Sequence, residues 1–227
     1  DLDDDINIKT GKCTICAEAH SYYPPVIFEK IKLPVDQFEV FLLEWIQPLP
    51  QESLKSYAMR MAKNVTHQNA ILVGVSFGGV LVQEMAEYLT VRKIIIISSV
   101  KCAKELPKKM KIAKSTKAYK ILPTSLLQDV EKLIKYAFGN RLKKKLQLYE
   151  KFLHMRNKEY LDWAIEQMIC WERSTINSKV VHIHGDADEV FPIQYIKDCI
   201  VVEQGTHAMI LTKYKWLNTH LPAILLA

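Results

Sequence analysis

The stretch Ile71-Leu72-Val73-Gly74-Val75-Ser76-Phe77-Gly78-Gly79-Val80-Leu81-Val82-Gln83-Glu84-Met85-Ala86 decides how the chain is read. It opens as an unbroken apolar run, the pattern of a strand buried on both faces, and closes as a helical pattern. Gly-x-Ser-x-Gly stands where the two meet, at 74–78. A chain that turns from strand to helix at one residue holds that residue in a strained conformation and lifts its side chain above the sheet. Side chains at 74 or 78 would crowd such a turn, which accounts for the glycines. The helix then directs its N-terminus at the Ser76 hydroxyl, so the Phe77 N–H and the helix dipole can stabilise a developing oxyanion.

Outward from this stretch, five more runs rich in β-branched or aliphatic residues lie at 13–17, 38–43, 93–98, 179–184 and 199–202. With 70–75 they make about six strands. Several are separated by stretches of helical periodicity, which predicts a mostly parallel sheet flanked by crossover helices, an α/β fold. Ile94-Ile95-Ile96-Ile97 has no polar alternation and reads as a central strand. Between the second and third runs, Leu54, Tyr57, Ala58, Met61 and Ala62 share one face of a helix over 53–64.

No strand is evident in 101–171, where 126–137 and 142–171 read as amphipathic helices broken at Pro107, Pro123 and Gly139-Asn140. The expected organisation is a core of 1–100 and 172–227 with an all-helical cap, 101–171, inserted in it. A closing helix is predicted over 208–217, with Pro222 ending regular structure soon afterwards.

The composition narrows the classes. At 227 residues, 49% hydrophobic and 25% charged, the chain matches an ordinary globular domain with an insertion and not a disordered polymer. Its longest apolar run is too short for a membrane span. Five Cys, an odd number, with no apolar signal segment near the start, argue against a secreted disulfide framework and for a cytoplasmic protein. Asn64-Val65-Thr66 is a glycosylation sequon only in a secreted chain. Cys13-Thr14-Ile15-Cys16 has redox or zinc spacing, but it falls on a strand and has no second ligand pair, so buried strand cysteines are expected.

The net charge of +6 is uneven: residues 101–170 carry 17 Lys+Arg against 7 Asp+Glu, the remainder 14 against 18. Such a segment can attract an anionic partner, although a Lys-rich amphipathic helix is more often a solvated face. The interleaved aromatic platform or reading helix of a nucleic-acid surface is missing, so no nucleic-acid partner is expected.

A serine hydroxyl is a poor nucleophile at neutral pH and needs a base, which in turn needs an orienting carboxylate. Both follow Ser76 in the sequence, each just past a strand's carboxyl end: Gly185-Asp186-Ala187-Asp188-Glu189-Val190-Phe191-Pro192 and Gly205-Thr206-His207-Ala208-Met209. His207 is the candidate base. His182 and His184 lie within a strand and read as buried groups. Asp188 is preferred as the acid over Asp186, which is close enough to the strand end to form the turn.

Strand, Gly-x-Ser-x-Gly-Gly, helical insertion, His-Gly-x-x-Asp-x-x-x-Pro and Gly-x-His together resemble the α/β-hydrolase superfamily over about residues 36–220. The resemblance implies Ser76 as nucleophile, Asp188 as acid, His207 as base and 101–170 as a cap over the pocket. It implies no cofactor or metal. The second oxyanion donor is expected from the segment Glu18-Ala19-His20-Ser21-Tyr22-Tyr23-Pro24-Pro25, which lacks the family's Gly; Ser21 falls near the donor position, beside Phe77 as the first donor. Tyr22, Trp163 and Met168 are candidate substrate contacts, and the apolar cap residues favour an apolar acyl group. The expected function is hydrolysis of a small-molecule carboxylic ester or thioester through an acyl-enzyme. The alternative is a noncatalytic binding protein of the same fold with a defective oxyanion loop. No feature fixes an oligomeric state.

Overall fold

The computed structural model describes residues 13–18, 26–120 and 158–227. Six strands form one sheet: β1 (Cys13–Glu18), β2 (Phe38–Leu43), β3 (Ala70–Val75), β4 (Val91–Ile97), β5 (Val180–Gly185) and β6 (Ile200–Val202). These are the six runs legible in the sequence, with ends moved by no more than two residues. Their spatial order is β2-β1-β3-β4-β5-β6, and every neighbouring pair is parallel. The chain therefore steps outward from β1 to β2 and then returns past β1 to β3. Open parallel sheets bind ligands at their carboxyl edge beside such a reversal, and Ser76 is the first residue after β3.

The central strands feed two apolar layers by strict alternation. Leu72, Ile94 and Ile96 join one layer with α1 (Leu54–Ala62) and α2 (Phe77–Met85). Ile71, Val73, Ile95 and Ile97 join the other with the C-terminal helices α5 (Met209–Thr212) and α6 (Tyr214–Leu226). Helix α1 starts where the Ser53 hydroxyl accepts the Ser56 N–H at 3.2 Å, and it buries the five apolar residues expected of it. In α2 only Glu84 escapes full burial, which seats the helix after Ser76 deep in the core.

Pro222 does not end regular structure; it sits inside α6. A proline in a helix interior costs about 3 kcal/mol. Leu217, Leu221 and Leu225 recur every fourth residue and are all buried, and each such side chain contributes about 1.5–3 kcal/mol. The Asn218 side chain anchors the same turn, donating to the Lys30 carbonyl at 3.0 Å and accepting the Lys32 N–H at 2.9 Å. Tertiary burial outweighs the local penalty.

Between β4 and β5 the described residues include α3 (Lys108–Thr116) and α4 (Lys158–Cys170). The Ala103 N–H donates to the Arg173 carbonyl at 2.8 Å, so the chain leaves and rejoins the core at one neck. The helix expected over 126–137, and the part of 142–171 before residue 158, lie outside the described residues.

Candidate active site

Ser76 has φ 55° and ψ −121°, a conformation that costs a non-glycine residue about 1–3 kcal/mol. Its backbone is held at both ends. The Ser76 N–H donates to the Ile97 carbonyl at 2.9 Å, and its own carbonyl accepts the Gly79 N–H at 3.0 Å and the Ser99 hydroxyl at 2.7 Å. A Cβ on Gly74 would run into the Gly78 carbonyl, so the close approach of these two residues requires glycine at 74.

Two more loops arrive from β5 and β6, and their backbones are bonded to each other. The Ala187 N–H donates to the Gly205 carbonyl at 3.0 Å and the Asp186 N–H to the Val202 carbonyl at 3.3 Å. Gly185 touches Gly205 so closely that a Cβ there would overlap the Gly205 carbonyl. This contact sets Asp188 beside His207, with Asp188 Oδ2 2.9 Å from His207 Nδ1. A carboxylate can only accept, so Nδ1 carries the proton and Nε2 of the neutral ring is an acceptor. Ser76 Oγ lies 2.9 Å from that Nε2 and donates to it. The structure thus brings Ser76, His207 and Asp188 into one hydrogen-bonded line, while Asp186 is exposed at the turn. A hydroxyl so aligned can lose its proton to the imidazole as it attacks, with the charged ring facing the carboxylate.

Asp188 is only 3% exposed. Burial pushes its carboxyl upward, yet the His207 charge and hydrogen bond, the backbone donor Phe191 and the charge of His184 outweigh it and leave it below the ordinary carboxylate value. The Val190 and Phe191 N–H groups donate to Oδ1 at 2.8 and 2.9 Å. Behind it, burial holds His184 below the usual histidine value against the pull of Asp188, and burial with the neighbouring His184 and Lys101 charges brings His182 down to about 2. Lys109 of α3 stands where desolvation lowers its ammonium, with Asp188 and Glu189 opposing. No group of three or more His, Cys, Asp or Glu among the described residues is placed to hold a metal ion.

This geometry sits on a parallel sheet whose neighbours among solved structures agree in type. A lipase-esterase related protein from Clostridium acetobutylicum superposes with a TM-score of 0.68 at 15% identity, covering 96% of each chain. The chain has the α/β-hydrolase fold. An esterase from Exiguobacterium antarcticum matches with a TM-score of 0.68 at 13% identity, covering 95% of this chain and 93% of the esterase. A bromoperoxidase from Bacillus anthracis matches at 0.62 and 15% identity, covering 95% and 92%. No family model and no curated protein matches the sequence.

Within this α/β-hydrolase fold Phe77 is the first residue of α2, directly after Ser76, and its ring meets Trp163 edge-on at 5.7 Å. Trp163 is buried on α4, donates its indole N–H to the Glu52 carbonyl at 2.6 Å and packs on Tyr57 at 4.6 Å. Met168 is buried in the same apolar layer. Ser21 and Tyr22 lie outside the described residues. Two contributors were not singled out in the sequence: Ser99, which fixes the Ser76 carbonyl, and Phe191, whose N–H holds Asp188. Ser99 lies two residues past the end of β4, whose Ile97 is in register with Val75, and nothing in the sequence alone marks it out. Phe191 carries no signal, because it acts through its backbone.

Proposed function

We propose that the protein is a serine hydrolase acting on a small-molecule carboxylic ester or thioester. The observation that carries this is the continuous line from Ser76 Oγ to His207 to Asp188, both links 2.9 Å, mounted on a residue held at positive φ. Ser76 Oγ attacks the acyl carbonyl as its proton passes to His207 Nε2, and the imidazolium so formed is stabilised by Asp188 through Nδ1–H. The Phe77 N–H, at the start of α2, donates to the oxyanion, with Ser21 as the second donor. His207 returns the proton to the leaving alcohol or thiol, the acyl group remains on Ser76, and a water activated by His207 then releases the acid. Esterases and lipases among the structural neighbours favour an ester over other acyl donors.

We place the insertion 101–171 over this site, since it leaves β4 at the carboxyl edge where Ser76 stands and rejoins the core beside its own start, at the Ala103 to Arg173 bond. Trp163, against the Phe77 ring, and Met168 form its apolar wall. The acyl group is therefore apolar. Burst kinetics on p-nitrophenyl butyrate test the reading: a burst equal to the enzyme concentration, absent in Ser76→Ala, is expected. A folded wild type without burst or turnover would instead identify a noncatalytic binding protein.

A further inference from the structure

Strand β5 ends in two buried histidines, His182 and His184, that the proposed chemistry does not use. They are not isolated. His184 Nε2 lies 2.8 Å from the Phe191 carbonyl, and His184 Nδ1 lies 3.1 Å from His182 Nε2. Proton bookkeeping allows one neutral arrangement. The Phe191 carbonyl can only accept, so His184 Nε2 carries a proton; its Nδ1 is then an acceptor, and His182 Nε2 must donate to it. His182 Nδ1 is then the acceptor, and it is buried with no hydrogen bond of ordinary geometry, although the Ser99 backbone acts on the His182 ring.

The far end of this chain reaches the acid. The peptide unit whose carbonyl receives His184 belongs to Phe191, whose N–H donates to Asp188 Oδ1 at 2.9 Å. His184 Nε2 also faces Asp188 Oδ2 at 3.7 Å, too far for a hydrogen bond but near enough for its N–H dipole to favour the carboxylate. Asp188 is thus held at Oδ1 by the 190–191 backbone and aimed through Oδ2 at His207. The clamp on the backbone is His184.

We propose that His184 is a positioning residue that sets the approach of Asp188 to His207 through the Phe191 peptide, and that His182 fixes which ring nitrogen of His184 carries the proton. This rests on the serine-hydrolase reading for its kinetic consequence but not for its geometry. A neutral His184 serves the task better than a charged one, because a second cation beside Asp188 would compete with the imidazolium of His207 for one negative charge. Burial works in that direction. The charged and titratable groups facing the pair are Asp188 and His207 from the two loops, and Lys101 and Glu105 from the segment after β4. Lys101 and Glu105 are themselves paired at 3.5 Å.

Three preparations test this: wild type, His184→Leu, and His184→Gln, whose amide can still donate to the Phe191 carbonyl. A displacement of about 1 Å in a catalytic group can cost 100-fold, so His184→Leu should lower kcat about 10- to 100-fold with KM changed less than about twofold. The acidic limb of kcat/KM against pH should move to lower pH, because a misaligned Asp188 stabilises the His207 imidazolium less. His184→Gln should stay within about fivefold of wild type, by the same geometric argument. An unmoved pH limb, or a Gln variant as impaired as the Leu variant, overturns the proposal in favour of a merely structural histidine. In case the Leu variant does not fold, 15N-histidine spectra of the wild type read the tautomer directly. His184 in the Nε2–H form supports the proposal and the Nδ1–H form overturns it. Loss of the hydrolase reading would show separately, as a wild type without turnover.

Discussion

The loops after β5 and β6 and the insertion between β4 and β5 are both secured to the sheet, but by different means. The loops are joined backbone to backbone, through Ala187 to Gly205 and Asp186 to Val202, and Asp188 is held by two backbone N–H groups. The insertion has one backbone bond at its neck, Ala103 to Arg173, and is otherwise held by side chains. Trp163 hydrogen-bonds the Glu52 carbonyl, Trp171 reaches Glu84, and Gln167 accepts the Leu54 N–H at the start of α1. Even within the insertion the two described helices differ: α3 buries none of its residues, whereas α4 contributes Tyr160, Trp163, Ala164 and Met168 to the main apolar layer. Backbone bonding fixes atoms to tenths of an ångström where chemistry needs it, while side-chain packing supplies stability and shape. Substitutions in the two regions should therefore separate activity from stability.

The largest separation is expected at the line of three. Ser76→Ala and His207→Ala should each lower kcat on p-nitrophenyl butyrate by about 10⁴-fold or more, with the melting temperature little changed. The double variant should be no slower than either single one, because residues that act as a unit are not additive. A thermal melt run beside the kinetics checks both halves. Next comes the choice of acid: Asp188→Asn should lose about 10⁴-fold by presenting the wrong hydrogen-bonding group to His207, and exposed Asp186→Asn less than threefold, about the scatter of surface changes. The reverse ranking would move the acid to Asp186.

In the insertion the expectation inverts. Trp163→Ala should destabilise the fold by about 3–5 kcal/mol, measured by urea denaturation, since it opens a cavity against Tyr57 and Phe77. At temperatures where that variant remains folded, turnover of an acetyl ester should fall less than that of a long-chain ester. On α3, exposed Lys111→Ala should move neither quantity by more than about 0.5 kcal/mol, the usual range for surface sites.

A last effect is electrostatic and comes from the buried histidines. His182 and His184 are lowered in the folded protein, so the unfolded chain binds more protons below pH 6.5, and stability falls as pH falls through that region. The slope is about 1.4 kcal/mol per pH unit for each proton taken up. Asp188, also lowered, adds to the loss only below its ordinary carboxylate range. Urea midpoints between pH 7 and 4.5 should decline, and His182→Leu should flatten the decline. An equally steep decline in that variant would assign the protons elsewhere.

The division between backbone and side-chain control also explains what the sequence made legible. All six strands were readable because a parallel sheet buried on both faces leaves near-continuous apolar runs such as Ile94 to Ile97. Ser76, Asp188 and His207 could be singled out as candidates because each falls past a strand's carboxyl end beside glycines with a geometric task. Pro222 misled because a local rule met three buried leucines one helical turn apart. Ser99 and Phe191 were not legible: one is a common residue whose importance comes from a neighbouring strand, and the other acts through peptide atoms that every residue has. The burial of α4 in the core was likewise hidden, since an amphipathic pattern tells that a face is covered and not what covers it.

The central claim is that Ser76 is an activated nucleophile, and covalent labelling with a fluorophosphonate followed by intact-mass and peptide mass spectrometry tests it most directly. One adduct per chain is expected, on Ser76, formed at least about 100-fold more slowly in His207→Ala, where the base is missing. A folded wild-type protein that remains unlabelled, or a label that maps to another residue, would contradict it.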